Sequence, residues 1–408
     1  MRDSYDLAIV GGGIIGTSVL WNLEAQGFKG NVALFERGDA LAEETSAKSA
    51  GAFRNLWGSR INMEMSTYSI NFLSTFEKEF DIPIGFHKHG YLFTFYPEPW
   101  ERVKAYKPTF DEVGVRAELL SPDEIERMVP GLKAGVDHID PEIREFAGFQ
   151  PFAGGLYGPD CGSFDPSAVA KGYTERAQRE FAESVEVHLR TEVKRVEFES
   201  GKLKGVQLSN GRRIGAGMIV LAAGPWSAQL LAASGLPDEE NLPYDPTKRQ
   251  LFVTNLPDIP GYENIPLVII DRGIYFKYET GNLQIGRADP EQKSGFDQDA
   301  SLAYYKDEIG PYMQERIPGT EHCNVKSMWG GLYSITRADH NGILGAHPAY
   351  EGLYLACGWS GHGAMVSPAA GQALAELIVH GSYKTVDAKP LRFERFAEND
   401  LIVEEIVI

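Results

Sequence analysis

Cysteine is scarce in this chain: three occur in 408 residues, at Cys161, Cys323 and Cys357, with no CxxC pairing. So odd and scattered a set excludes a disulfide framework and a cysteine zinc site, no metal is expected, and a reducing compartment fits. No run of about 18 uninterrupted apolar residues occurs, so no transmembrane helix is expected. Residues 7–20 are apolar enough to imitate a signal-peptide core, yet four glycines interrupt them and no basic segment precedes them. Basic charge is thin too: 39 Lys and Arg stand against 57 Asp and Glu, for a net charge of −18. With no basic cluster, nucleic acid and anionic membranes are disfavoured as partners, while a local basic pocket for a small anion stays open. The acidity itself reads as solubility. Repeats and low-complexity tracts are missing. The expectation is a cytoplasmic protein of two joined domains, because 408 residues exceed the usual size of one core.

What is present begins near the N-terminus. Gly11-x-Gly13-x-x-Gly16 lies between an apolar strand (residues 7–10) and a helical stretch (14–26), and Glu36 follows Gly16 by 20 residues at the end of Val32-Ala33-Leu34-Phe35. Glycines allow a tight turn and close approach to a pyrophosphate resting on the helix N-terminus. The Glu36 carboxylate suits ribose hydroxyls and disfavours a 2′-phosphate. A dinucleotide is therefore expected.

Further along, Met65, Tyr68, Phe72, Leu73, Phe76 and Phe80 recur at helical spacing and read as core. Residues 90–96 look like a strand. Ser121-Pro122-Asp123-Glu124 is a capping box, and Asp165-Pro166 opens a helix running to about Phe181. Strand signals at 185–189, 193–198, 205–208 and 218–222, with turns at Ser200-Gly201 and Asn210-Gly211, predict a β-meander. Residues 240–330 alternate turns with short strands (274–278, 283–286), as an antiparallel sheet would. A buried strand at 353–356 precedes Gly358-Trp359-Ser360-Gly361-His362-Gly363 and a helix over about 367–380.

Five motifs in this order resemble the FAD-dependent amine and amino-acid oxidoreductases of the D-amino-acid oxidase superfamily, in the branch of sarcosine oxidase, glycine oxidase and dimethylglycine dehydrogenase. They are the glycine turn with Glu36, TSAKSAGAFR at 45–54, GSFDP at 162–166, VLAAGPWS at 220–227, and LYSITRADHNGILGAHP with GLYLACGWSGHG towards the C-terminus. The resemblance implies an α/β, two-domain fold: a Rossmann-like FAD-binding domain (1–82, 153–235, 331–408) and a discontinuous antiparallel-sheet substrate domain (83–152, 236–330). It implies FAD rather than NAD. Gly11, Gly13, Ile14 and Gly16 would hold the pyrophosphate, Glu36 and Arg37 the adenosine end, and Thr45, Ser46 and Ser49 further oxygens. Val193 would meet the adenine, and Gly224, Trp226 and Gly331 belong with the cofactor site. Gly361, His362, Gly363 and Met365 would lie under the flavin, where a helix N-terminus favours negative charge.

By the same resemblance Arg54 would grip a substrate carboxylate, for which its planar fork is suited; the alternative for it is a surface or flavin-loop arginine. Tyr275 and Tyr333 match pocket tyrosines, and Lys277 and Arg337 are further anion candidates. His87 and His89 read as structural. Four departures stand out. The family's covalent flavin cysteine falls at Gly331, and TSAKSAGAFR lacks the histidine attachment, so noncovalent FAD is expected. A carboxylate-binding lysine falls at Met365, an oxygen-activating lysine at Gln284 and a histidine at Ala288. The loss at Gln284 leans towards a dehydrogenase, with oxygen or another redox acceptor as the oxidant. The expected reaction is oxidation of a small amine or amino acid by hydride transfer to flavin N5, followed by imine hydrolysis. The alternatives are a 2-hydroxy-acid or glycerol-phosphate dehydrogenase, and a non-catalytic flavoprotein assembly factor like a mitochondrial relative. The apolar tail at 401–408 is left to pack on the FAD domain or in a homo-oligomer.

Overall fold

Ser4–Val10 buries side chains on both faces: Leu7 and Ile9 join one core, Tyr5, Ala8 and Val10 another. A strand with two apolar faces belongs at the centre of a covered parallel sheet. There it lies in the computed structural model, which describes residues 1–199 and 201–406. Val32–Phe35 pairs with it in parallel on one side and Arg213–Leu221 on the other. Val185–His188 and Leu353–Cys357 extend the array, and Ile343–Ala346 closes one edge antiparallel. The helices Ile14–Ala25, Arg60–Phe80, Pro166–Glu180 and Gly363–His380 pack together on one face. On the other face, Val193–Glu199 and Lys202–Leu208 form a meander with the start of Arg213–Leu221.

The second sheet also has eight strands, in the order Val325–Thr336, Tyr244–Asn255, Asn282–Arg287, Ile274–Glu279, Leu267–Ile270, Tyr91–Phe95, Gly154–Gly158 and Glu118–Leu120. Every pairing is antiparallel except that of Leu267–Ile270 with Tyr91–Phe95. Strand pairing draws Gly154–Gly158 into this sheet, and Val325–Thr336 runs unbroken past residue 330.

The local signals act as their chemistry requires. Ser121 and Glu124 form the reciprocal capping box, and the Asp165 carboxylate accepts from Ser167 N at 2.8 Å and Ala168 N at 3.1 Å. Gly211 takes a positive φ of 85° in the Asn210-Gly211 turn. Ser200 of the other turn lies outside the described residues, as do Val407 and Ile408 of the tail. Two expectations need correction. Val185–His188 does not join the meander but pairs in parallel with Val32–Phe35, across the first sheet. The last helix starts at Gly363, four residues before Ser367, with Pro368 inside it. Proline removes the donor that would serve Ala364 O, and Ser367 Oγ donates to that oxygen instead, at 2.9 Å.

Candidate active site

At the C-terminal end of the central strand the chain turns through Gly11, whose φ is +113°. A Cβ there would sit 2.4 Å from Ala222 O, and one at Gly16 would sit 2.0 Å from Gly11 O. Both glycines are thus needed for strand, turn and helix to meet. Glu36 accepts from Gly12 N and Gly38 N, each at 2.7 Å, which fixes its carboxylate beside the turn. Ser46 Oγ accepts from Ile14 N at 3.1 Å, and the Arg37 guanidinium stacks 3.9 Å over Trp226.

These groups wall a cavity of about 410 Å³. Of the expected cofactor residues, Gly11, Gly13, Ile14, Glu36, Arg37, Thr45, Ser46, Ser49, Val193, Gly224, Trp226, Gly361 and Gly363 line it. Gly16 stands behind the turn, and Gly331 lines neither this cavity nor its neighbour. The indole Nε1 of Trp359, another lining residue, is buried without a partner. A cleft lined by Glu36 and by the starts of two helices, at Ile14 and at Gly363, fits a dinucleotide.

A smaller cavity of about 60 Å³ opens from it, sharing Ser49, Tyr333, Gly361 and Ala364. Its other walls include Arg54, Tyr91, Arg249, Tyr275, Ala288, His362 and Met365. Glycines make room for the rings: a Cβ at Gly286 would strike the Tyr275 ring at 2.3 Å, and one at Gly361 the Tyr333 ring at 2.2 Å. Burial raises the phenol pKa of Tyr91, Tyr275 and Tyr333, keeping them protonated donors. Burial, with Arg54 nearby, pushes His362 well below the ordinary imidazole value, so it stays neutral. Its ring meets Trp57 edge-on at 4.4 Å.

Arg54 is no surface arginine. It is 1% exposed, its guanidinium lies 3.5 Å over Trp57, and it donates to Leu56 O and, at 2.8 Å, to Ile406 O. Gln284 lines neither cavity. Lys277 pairs with Glu279, and Arg337 with Asp245, so neither anion candidate reaches the site. His89 binds Ser163 Oγ at 3.1 Å away from both cavities. Arg249 and Tyr91 escaped the sequence reading. Only alternation along Tyr244–Asn255 could have pointed Arg249 inward, and that strand mixes buried and half-buried positions on both faces.

The chain is 28% identical to FAD-dependent oxidoreductase domain-containing protein 1 of Xenopus laevis, over 99% of this chain and 85% of that protein. It is 26% identical to mitochondrial sarcosine dehydrogenase of Mus musculus, over 93% of this chain and 40% of that protein. Its fold is similar to that of L-proline dehydrogenase from P. horikoshii, with a TM-score of 0.82 at 23% identity, covering 98% of this chain and 100% of the other. The family DAO, FAD dependent oxidoreductase, matches residues 6–377. With the larger cavity shaped for a dinucleotide and a family match over most of its length, the chain belongs to the DAO family of FAD-dependent oxidoreductases, and FAD is its cofactor.

Proposed function

We propose that this oxidoreductase acts on a small amine or amino acid whose acid group sits in the smaller cavity. One observation carries the reading: about 60 Å³ of space lined by Arg54 and Arg249, three phenols and, among the described residues, no Asp or Glu. Arg54 faces the buried Glu404, but Arg249 has no carboxylate partner among the described residues; an unbalanced cation calls for an anion, and arginine suits a carboxylate. The volume holds roughly four or five water-sized spheres at about 10–15 Å³ each, which favours a compact acid. Relatives named for sarcosine and for proline support the same class. FAD, when bound, would supply the two-electron acceptor for hydride from the carbon next to nitrogen; the amine proton would pass to water, and water would hydrolyse the imine to a carbonyl compound and a released amine.

The chain's own contribution is position and exclusion. Tyr333, common to both cavities, marks where substrate meets cofactor, and neutral His362 adds no charge there. Noncovalent attachment is part of this reading, because Gly331 stands where the family's flavin-bearing cysteine falls and residues 45–54 carry no histidine. Electrons leave to oxygen or to another redox acceptor. The test is anaerobic: holoenzyme is mixed with a panel of primary and secondary amino acids, simple amines, 2-hydroxy acids and glycerol phosphate. Bleaching of the flavin by one or more amino acids or amines is expected. Bleaching by hydroxy acids or glycerol phosphate alone would move the reading to those substrates, and no bleaching by any would favour a non-catalytic role.

A further inference from the structure

The two arginines of the smaller cavity are not equivalent. Arg54 is already engaged: its fork donates to Leu56 O and Ile406 O, and its charge faces buried Glu404. Glu404 is itself tied down, accepting from Ser59 N at 3.0 Å, Ser59 Oγ at 2.8 Å and Asn62 Nδ2 at 3.2 Å. Arg54 thereby ties the C-terminal segment to residues 54–62. Arg249 makes a single hydrogen bond, from Nη1 to Lys248 O at 3.1 Å. Its Nε is buried with no partner, and no carboxylate pairs with it among the described residues. Directly across the strand pair stands Gly331, with no side chain to cover or neutralise it. A buried charged donor left open is costly, so a fold that keeps one is built for a ligand that closes it.

We propose that Arg249, rather than Arg54, grips the substrate's carboxylate; this rests on the amino-acid reading above and narrows it to small carboxylic acids. The guanidinium lies 5.4 Å from the Tyr333 ring, at the mouth between the cavities. A carboxylate bound there leaves the adjoining carbon directed at the larger cavity. A neutral amine would leave the Arg249 donor unpaired and is selected against.

The experiment titrates holoenzyme with acetate, acetamide and inorganic phosphate, following the flavin absorption spectrum, for wild type, Arg249→Lys and Arg249→Met. Flavin content checks that each variant is loaded. Acetate is expected to perturb the wild-type spectrum saturably, and acetamide to leave it unchanged. Arg249→Met should weaken acetate at least tenfold, and Arg249→Lys by less, because its point charge survives without the fork. If Arg249→Met fails to hold FAD, weakening in Arg249→Lys alone still decides. Unchanged acetate binding in the variants would overturn the proposal, as would phosphate binding where acetate does not. Should acetate bind through Arg249 while no amino acid bleaches the flavin, the function fails and the anchor stands. Turnover with unaltered KM in the variants would do the reverse.

Discussion

Two half-buried histidines, His89 and His362, contribute to the chain's acid sensitivity. Burial pushes His89 down from an ordinary 6.5 to about 4, with Lys277 and His87 adding to the effect. His362 is lowered as well, again chiefly by burial. Both are neutral in the folded state, while the unfolded chain takes up protons near 6.5. Below that value the unfolded state binds more protons, so stability rises with pH and falls as pH drops. Thermal melts are expected to show a falling midpoint from about pH 7 to about pH 5, above the range where carboxylates titrate. His89→Gln should flatten part of the slope; a midpoint level across that window would refute the assignment. Side chains of this kind were poorly legible in the sequence. Glu36 could be found because its spacing from Gly16 is set by the βαβ geometry that positions it. Arg249 could not, because an arginine in a strand reads as solvated until its neighbours are known. Arg316 shows the same limit: it is fully buried, donating Nε to Asp271 at 2.6 Å, though nothing local distinguishes it from exposed arginines.

Elements whose ends carry their own chemistry were legible, and those defined by packing were not. The capping box at Ser121 and the Asp165-Pro166 start fall where they were expected because the cap side chain makes its bond within three residues. Six short helices, at Pro97–Lys104, Lys107–Val113, Pro141–Ala147, Ser227–Ala233, Leu302–Glu308 and Gly310–Arg316, are only seven or eight residues long, too short for a periodic signal. Val185–His188 has a strand's composition, but its partner is chosen by the sheet edge at Val32–Phe35. The Gly363–His380 helix was read late because Pro368 imitates a first-turn proline. This helix crosses Ile14–Ala25 at Gly371, where a Cβ would lie 2.8 Å from the Ser18 backbone oxygen. Backbone cannot give way as a side-chain tip does. Gly371→Val is expected to cost roughly 1–3 kcal/mol, read as a lower denaturant midpoint. Because both helices begin at the larger cavity, FAD affinity should fall with it. A wild-type midpoint in this variant would contradict the close crossing.

The larger cavity gathers groups that share little else. Val193 comes from a strand of the first sheet and Glu36 from just past the end of another, Leu332, Tyr333 and Ser334 from the edge strand of the second, and Gly363 and Ala364 from the last helix. A ligand filling that space bonds to all of them at once and not to the unfolded chain, so it stabilises the two sheets jointly by mass action. At free FAD near 100 times its Kd the gain is about 2.7 kcal/mol, which for a chain of this size is a rise in melting midpoint of about 3 °C. The experiment needs flavin-free protein, and its preparation tests the attachment as well. If the flavin is held noncovalently, as proposed, acid precipitation is expected to leave the yellow colour in the supernatant. Returning FAD to the refolded apoprotein should raise the midpoint in step with the logarithm of its concentration. Colour retained in the pellet would mean a covalent flavin, and a midpoint indifferent to FAD would mean that the cavity is not where the cofactor binds.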